Sequence, residues 1–419
     1  MSNSPRSSQK LKSVPVEKPK SQARLPQPQV PPFPTPPEAY ENISPVPLIQ
    51  EVVQPNAPPA NVGRKKARPP RISAATCTIP APPLHLLEEK IEELIALQGE
   101  HPEQALIKDL IITALKLVRD GSSRGEVKIM AAAMRELRYA FKVFRPFQHK
   151  RKVTIFGSAR TASNAPEYQA AKYFAEEMVK REYMVITGAG PGIMQAAQEG
   201  AGRDQSFGVN IRLPFEQASN PVIAGDPKLI HFRYFFTRKL CFVKEASAIA
   251  LFPGGFGTHD EGFETLTLVQ TGKASPIPIV FMDRPGGTYW REWASYVERH
   301  LLGKGLISKE DFSLFKITDD PDWAVEEILQ FYKRYHSSRY VKDRLVLRML
   351  TPISAKALAE INRRYASLLS NPNAKITSSG PLPEEADQPG LNDLPRLVVP
   401  FNRRNFGKLR QLIDDINIA

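Results

Sequence analysis

The sequence predicts an α/β fold: a doubly wound parallel sheet, with an N-terminal helical segment before it and a C-terminal α/β extension after it. Three observations predict this. Short apolar, β-rich runs recur at VTIFGSA, YMVITGAG, SFGVNIRL, ASAIALFPG and PIPIVFMD. Helical patterns lie between several of them, such as PEYQAAKYFAEEMVKR at 166–181 and PGIMQAAQEGAG at 191–202. Such alternation implies parallel strands joined by right-handed crossovers. Glycine-rich turns stand at the carboxyl ends of the strands, where sheets of this class bind ligands.

Taken in order, residues 1–80 hold 18 of the 39 prolines and 11 lysines and arginines against 4 acids. Such a segment cannot bury enough apolar surface to offset its ordering entropy, so a disordered, basic tail is expected. Over half of the net charge of +13 sits there. The remainder is mildly basic, as suits a protein that handles small anions, and a nucleic-acid partner is not expected. From 84, LHLLEEKIEELIALQ, EQALIKDLIITALKLVRD and EVKIMAAAMRELRYAFKVF repeat apolar residues at three- and four-residue spacing, which predicts three amphipathic packing helices over 81–150. The sheet domain follows over 151–336. Beyond 337 the pattern reads helix (SAKALAEINRRYASLL), polar loop (TSSGPLPEEADQPG), strand (PRLVVPF) and helix (GKLRQLIDDI), an extension over 337–419 that packs on the main domain.

No run approaches the roughly 18 apolar residues that a membrane span needs. The N-terminus lacks the apolar core of a secretory signal. Cys77 and Cys241 are the two cysteines, which excludes a disulfide scaffold and fits a reducing, cytoplasmic setting. The seven histidines show no metal-ligand spacing, so neither a metal nor a cofactor is expected.

Three turns at one edge of the sheet carry the candidate chemistry. In FGSAR, Gly157 and Ser158 end a strand where a hydroxyl and free amides suit a phosphate oxygen, although an ordinary β-to-α turn reads the same. In TGAGPGIMQAA, Gly188, Gly190 and Gly192 lead from a strand into a helix, with Pro191 in its first turn. Bare backbone there can approach an anion, and a helix N-terminus carries roughly half a positive charge. The spacing is neither the dinucleotide fingerprint nor a P-loop, so a mononucleotide fits better than NAD or a triphosphate. In PGGFGTHDE, Gly254, Gly255 and Gly257 turn amides inward, and Thr258 can both cap the helix and touch phosphate. Thr258 and Glu261 have the spacing of a capping box. That spacing does not separate a cap from a catalyst; the position of Glu261, facing the phosphate turns, favours the catalyst. His259 is expected at the surface. Upstream, Arg238 and Lys239 start a helix, and at least one is expected to point into the site.

TRK followed 15 residues after Arg238 by PGGFGTHDE resembles the LOG (Lonely Guy) family, whose signature is PGGxGTxxE with an upstream RK pair. TGAGPGIMQAA, GVNIRLPFEQ, LTLVQTGK and GLISKEDF…ITDDP are similar to its longer bacterial branch, and the resemblance covers roughly 84–419. It implies a Rossmann-like nucleoside 5′-monophosphate phosphoribohydrolase, of a family first mislabelled as lysine decarboxylases. Such an enzyme releases a free base and ribose 5-phosphate from purine nucleotides or cytokinin ribotides. By motif position the family's catalytic pair falls on Arg238 and Glu261. Assembly into a homodimer or higher oligomer is implied as well. One departure stands at Gln195, where the branch usually reads GIMEA. The alternative within the same fold is a non-catalytic sensor or carrier that binds a nucleotide or a phosphate-bearing cofactor.

Overall fold

The continuous apolar runs become central strands because both faces are covered, so no position needs to be polar. The computed structural model describes residues 84–213 and 218–419; the expected tail, residues 1–80, lies outside them. Among the described residues seven strands form one sheet: β1 (Lys152–Phe156), β2 (Met184–Thr187), β3 (Ser206–Ile211), β4 (Leu229–Phe232), β5 (Ala248–Leu251), β6 (Ile279–Met282) and β7 (Lys316–Thr318). Every pairing is parallel, in the order β4-β3-β2-β1-β5-β6-β7. Every residue of β1, β2, β5 and β6 is buried. The edge strands β4 and β7 were not among the five predicted runs, being short and partly exposed.

Alternate strand residues feed two cores. Val153, Ile155, Val185, Ala250 and Val280 face one layer, packed with α4 (Pro166–Lys180), α5 (Ile193–Ala201) and α9 (Pro321–Phe331). Ile186, Ile249, Leu251, Ile279 and Phe281 face the other, packed with α3 (Arg124–Phe144), α6 (Phe235–Lys244), α7 (Phe256–Gln270) and α8 (Tyr289–Val297). The strand order reverses between β1 and β5, which leaves a crevice at their carboxyl ends.

The three predicted N-terminal helices are α1 (Leu84–Ala96), α2 (Gln104–Arg119) and α3. Ser123 and Glu126 close a capping box at the start of α3, and Ala140 and Phe144 bury its far end. Phe144 stacks on Phe207 of β3 with ring centroids 4.5 Å apart. In contrast, α2 buries none of its residues, and Leu106, Ile107, Leu110 and Val118 stand exposed.

The C-terminal reading needs correction. A second, antiparallel sheet forms there from β8 (Tyr335–Val341), β9 (Arg344–Met349), β10 (Thr377–Ser379) and β11 (Arg396–Val399), in the order β10-β11-β9-β8. Only β11 and the helices α10 (Ala355–Arg364) and α11 (Phe406–Ile418) were anticipated; β10 lies inside the expected polar loop. The β8–β9 hairpin turns on Lys342 and Asp343, with Lys342 at φ 57°. It therefore lacks the glycine or asparagine that usually announces such a turn. Two strand arginines, Arg348 and Arg396, are buried because Glu385 bridges them. These cations hide the strand pattern.

Candidate functional site

The site begins where β1 and β5 end. Ser158 donates its backbone N–H to the Pro253 carbonyl at 3.1 Å, which ties the turn after β1 to the turn after β5. The turn after β2 is tied in through Ile193, whose N–H donates to the Ser158 carbonyl at 3.0 Å. Gly192 makes that approach possible. It lies at φ 67°, and a Cβ there would meet the Ser158 carbonyl oxygen. It is also the N-cap of α5, so Pro191 precedes the helix and does not sit in its first turn.

These turns border a cavity of about 760 Å³. Gly157 and Ser158 line it from β1, Gly188 from β2, and Gly254, Gly255, Gly257 and Thr258 from β5 and the start of α7. Arg238 enters from α6 and Glu261 from α7. Three expected binding residues are absent from the lining. Gly190 lies against the Met194 side chain, and Gly192 backs the first turn as described. Lys239 pairs with Asp260 at 2.8 Å and Glu264 at 2.6 Å, clamping α6 to α7 instead of facing the cavity.

The capping box at 258–261 does not form. The N-cap of α7 is Gly255, with no side-chain cap, so the helix starts earlier than the spacing suggested. Glu261 is therefore one and a half turns inside the helix, 5% exposed, and its side chain is free for the cavity. Its Oε1 stands 3.6 Å from Nη2 of Arg238, while its Oε2 and the Arg238 Nε have no partner among the described residues. Burial pushes the Glu261 carboxyl up to about 7 against the opposing pull of Arg238 and Lys239. Burial likewise lowers Arg238 from the ordinary arginine value, with Glu261 acting the other way. Phe235 and Phe242 hold the guanidinium, with ring centroids 4.9 and 5.3 Å from Cζ. The start of α6 is held in turn by Glu136 of α3, which accepts from the Thr237 hydroxyl at 2.7 Å and the Arg233 amide at 3.0 Å. A packing helix thus also positions the site.

Sequence reasoning missed several lining residues. Arg160 ends the FGSAR turn and brings a second cation to the cavity, and its proximity to Ser158 was the available signal. Phe256 lies at the rim with 96% of its surface exposed. His259, expected at the surface, is half-buried and lines the cavity. Gln195 does not line it; its Nε2 donates to Glu199 at 2.9 Å on the α5 surface.

Comparisons with known proteins now add to this geometry. A family model described as "possible lysine decarboxylase" matches residues 192–328. A curated pyrimidine/purine nucleotide 5′-monophosphate nucleosidase of Escherichia coli (strain K12) is 30% identical over 152 residues, 34% of this chain and 33% of the relative. The same protein from Escherichia coli O157:H7 matches equally. The match thus spans about a third of the length of these relatives. Among solved structures, the molybdenum cofactor carrier protein of Chlamydomonas reinhardtii is 19% identical, covering 43% of this chain and 97% of that one, with a TM-score of 0.31. The molybdenum cofactor binding protein of Rippkaea orientalis is 16% identical over 42% and 94%, with a TM-score of 0.29. At such TM-scores these two support nothing about a ligand of this chain. The segment matched by the family model is about a third of the chain, and it holds the TRK and PGGFGTHDE motifs on one cavity of a parallel α/β sheet; this segment is similar to the family described as possible lysine decarboxylases.

Proposed function

We propose that the protein hydrolyses the N-glycosidic bond of nucleoside 5′-monophosphates, releasing a free base and ribose 5-phosphate. The observation that carries this reading is the buried pair of Arg238 and Glu261, 3.6 Å apart on the cavity that the glycine turns border. Cleavage passes through an oxocarbenium-like ribose, and a carboxylate beside C1′ stabilises that charge and orients the attacking water. Water oxygen bonds to C1′, the C1′–N bond breaks, and its electron pair leaves with the base, which takes up a proton. The amides of Gly255 and Gly257, the Ser158 and Thr258 hydroxyls and Arg160 bind the 5′-phosphate, so that binding energy remote from the bond fixes the ribose. Arg238 donates to a substrate oxygen beside the carboxylate. The curated nucleosidase supports this reaction class, with purine or pyrimidine nucleotides or cytokinin ribotides as the substrates to compare.

The test is incubation with a panel of nucleoside monophosphates, with free base read by chromatography. Release from at least one, lowered by roughly a hundredfold or more in Glu261→Gln, is the expected result. Binding with no release from any would assign the cavity to a sensor or carrier.

A further inference from the structure

One hydrogen-bonded chain beside the cavity has its proton positions determined by chemistry alone. The Tyr289 hydroxyl of α8 lies 2.5 Å from the Gly254 carbonyl oxygen and 2.7 Å from Nε2 of His259. A carbonyl can only accept, so the single hydroxyl proton is committed to Gly254. The Tyr289 oxygen must then accept from His259, which places that imidazole's proton on Nε2. Burial lowers His259 from the ordinary histidine value and so favours the neutral ring. The ring is held by aromatic neighbours, 5.5 Å from Trp290 and 6.4 Å from Phe263 between centroids.

The anchored carbonyl has a consequence on its other side. None of the described peptide bonds is cis. In a planar trans peptide the N–H of the next residue points opposite to the C=O. Holding the Gly254 carbonyl toward Tyr289 therefore turns the Gly255 amide away from α8. Gly255 lines the cavity, and its amide meets no acceptor among the described residues. Glycine at 254 and 255 leaves this peptide free to rotate, so something outside the turn must hold it.

We propose that His259 and Tyr289 are positioning residues, which hold the Gly254–Gly255 peptide with its amide toward the cavity and so set affinity for the substrate's 5′-phosphate. This rests on the reading of the cavity as a phosphate site. Neither side chain has to touch substrate. Their effect is preorganisation of a backbone donor, which lowers the cost of ordering the turn when the anion arrives.

The experiment measures ribose 5-phosphate binding by calorimetry together with steady-state kinetics on the best nucleotide of the panel. Tyr289→Phe removes one hydroxyl and keeps the ring. It is expected to weaken ribose 5-phosphate binding about tenfold, the scale of one hydrogen bond to a charged group. KM should rise by a similar factor, with the effect on KM exceeding that on kcat. His259→Leu should act the same way, His259→Gln should restore affinity to within about threefold, and the double variant should be no worse than Tyr289→Phe alone. A merely structural role would lower the melting temperature and the active fraction while leaving the dissociation constant unchanged. Unchanged ribose 5-phosphate affinity in folded Tyr289→Phe, or additive losses in the double variant, would overturn the proposal. Should Tyr289→Phe not fold, the Leu and Gln variants at His259 decide by the same comparison. A wild-type protein that binds no ribose 5-phosphate would instead remove the phosphate reading on which the proposal rests.

Discussion

At Glu261, a buried carboxyl beside one guanidinium, the raised value of about 7 has consequences for stability and for rate. Folding lifts the group above its ordinary 4.5. Its contribution to stability is therefore fully present below about 4.5 and is lost as pH rises through about 7. Glu261→Gln mimics the neutral form at every pH. Between pH 4.5 and 8 the variant should gain on the wild type by up to about 3 kcal/mol, read from denaturant titrations. A stability difference that does not change with pH would show that the carboxyl is not perturbed. The charged form is the one a ribosyl cation needs, so kcat/KM of the wild type should climb with pH through about 7. Turnover of Glu261→Gln should fall by roughly a hundredfold or more while nucleotide binding survives. Retention of more than about a third of wild-type turnover would remove Glu261 from the chemistry. Arg238→Ala should lower affinity and rate together, because it removes a donor on the cavity and the counter-charge of Glu261.

Between elements, the C-terminal sheet offers the sharpest test. Glu385 is 1% exposed and accepts from Arg348 at 2.6 and 2.9 Å and from Arg396 at 3.2 Å. Glu385→Leu would leave two buried guanidinium groups uncompensated, and a loss of about 3–5 kcal/mol is expected from the unfolding midpoint. A loss below about 1 kcal/mol would mean that water reaches the arginines. The same elements show where sequence reading stops. Strands β1, β2, β5 and β6 were legible because they are apolar at nearly every position. Strands β8 to β10 were not, since polar residues interrupt them: Arg339 and Arg348 find partners far along the chain in Asp387 and Glu385, and β10 is three polar residues that stay exposed or half-buried. The start of α7 was misjudged by the same limit. Thr258 and Glu261 have capping spacing, but the turn after β5 begins the helix at Phe256, and that boundary depends on how β1 and β5 meet.

At the scale of the molecule, the exposed apolar residues of α1 to α3 favour a homo-oligomer. Ile107, Leu110, Ile111, Ala114, Leu115 and Met134 line an apolar groove of about 380 Å³ between α2 and α3. Burial against another copy would remove that surface from water. Light scattering should report at least twice the chain mass of 46.9 kDa at micromolar concentration; a monomer would exclude this assembly. Among the described residues no helix is long and apolar enough to cross a membrane. Removal of residues 1–80, which lack apolar periodicity, should leave the melting temperature and turnover unchanged.

By itself the sequence determined the sheet class, the three N-terminal helices, and the glycine turns with Arg238 and Glu261. These features are local, written in apolar period, in turn chemistry or in a short motif. Only the tertiary structure decided that Lys239 pairs across to α7, that Gly190 and Gly192 stand behind the cavity wall, and that Glu261 is not a cap. It alone brought Tyr289, 35 residues beyond Gly254, onto that glycine's carbonyl. The physical reason is that direction and desolvation belong to the packed chain. A side chain's neighbour, and the cost of its charge, are set by which elements close over it, and spacing along one element does not contain that information.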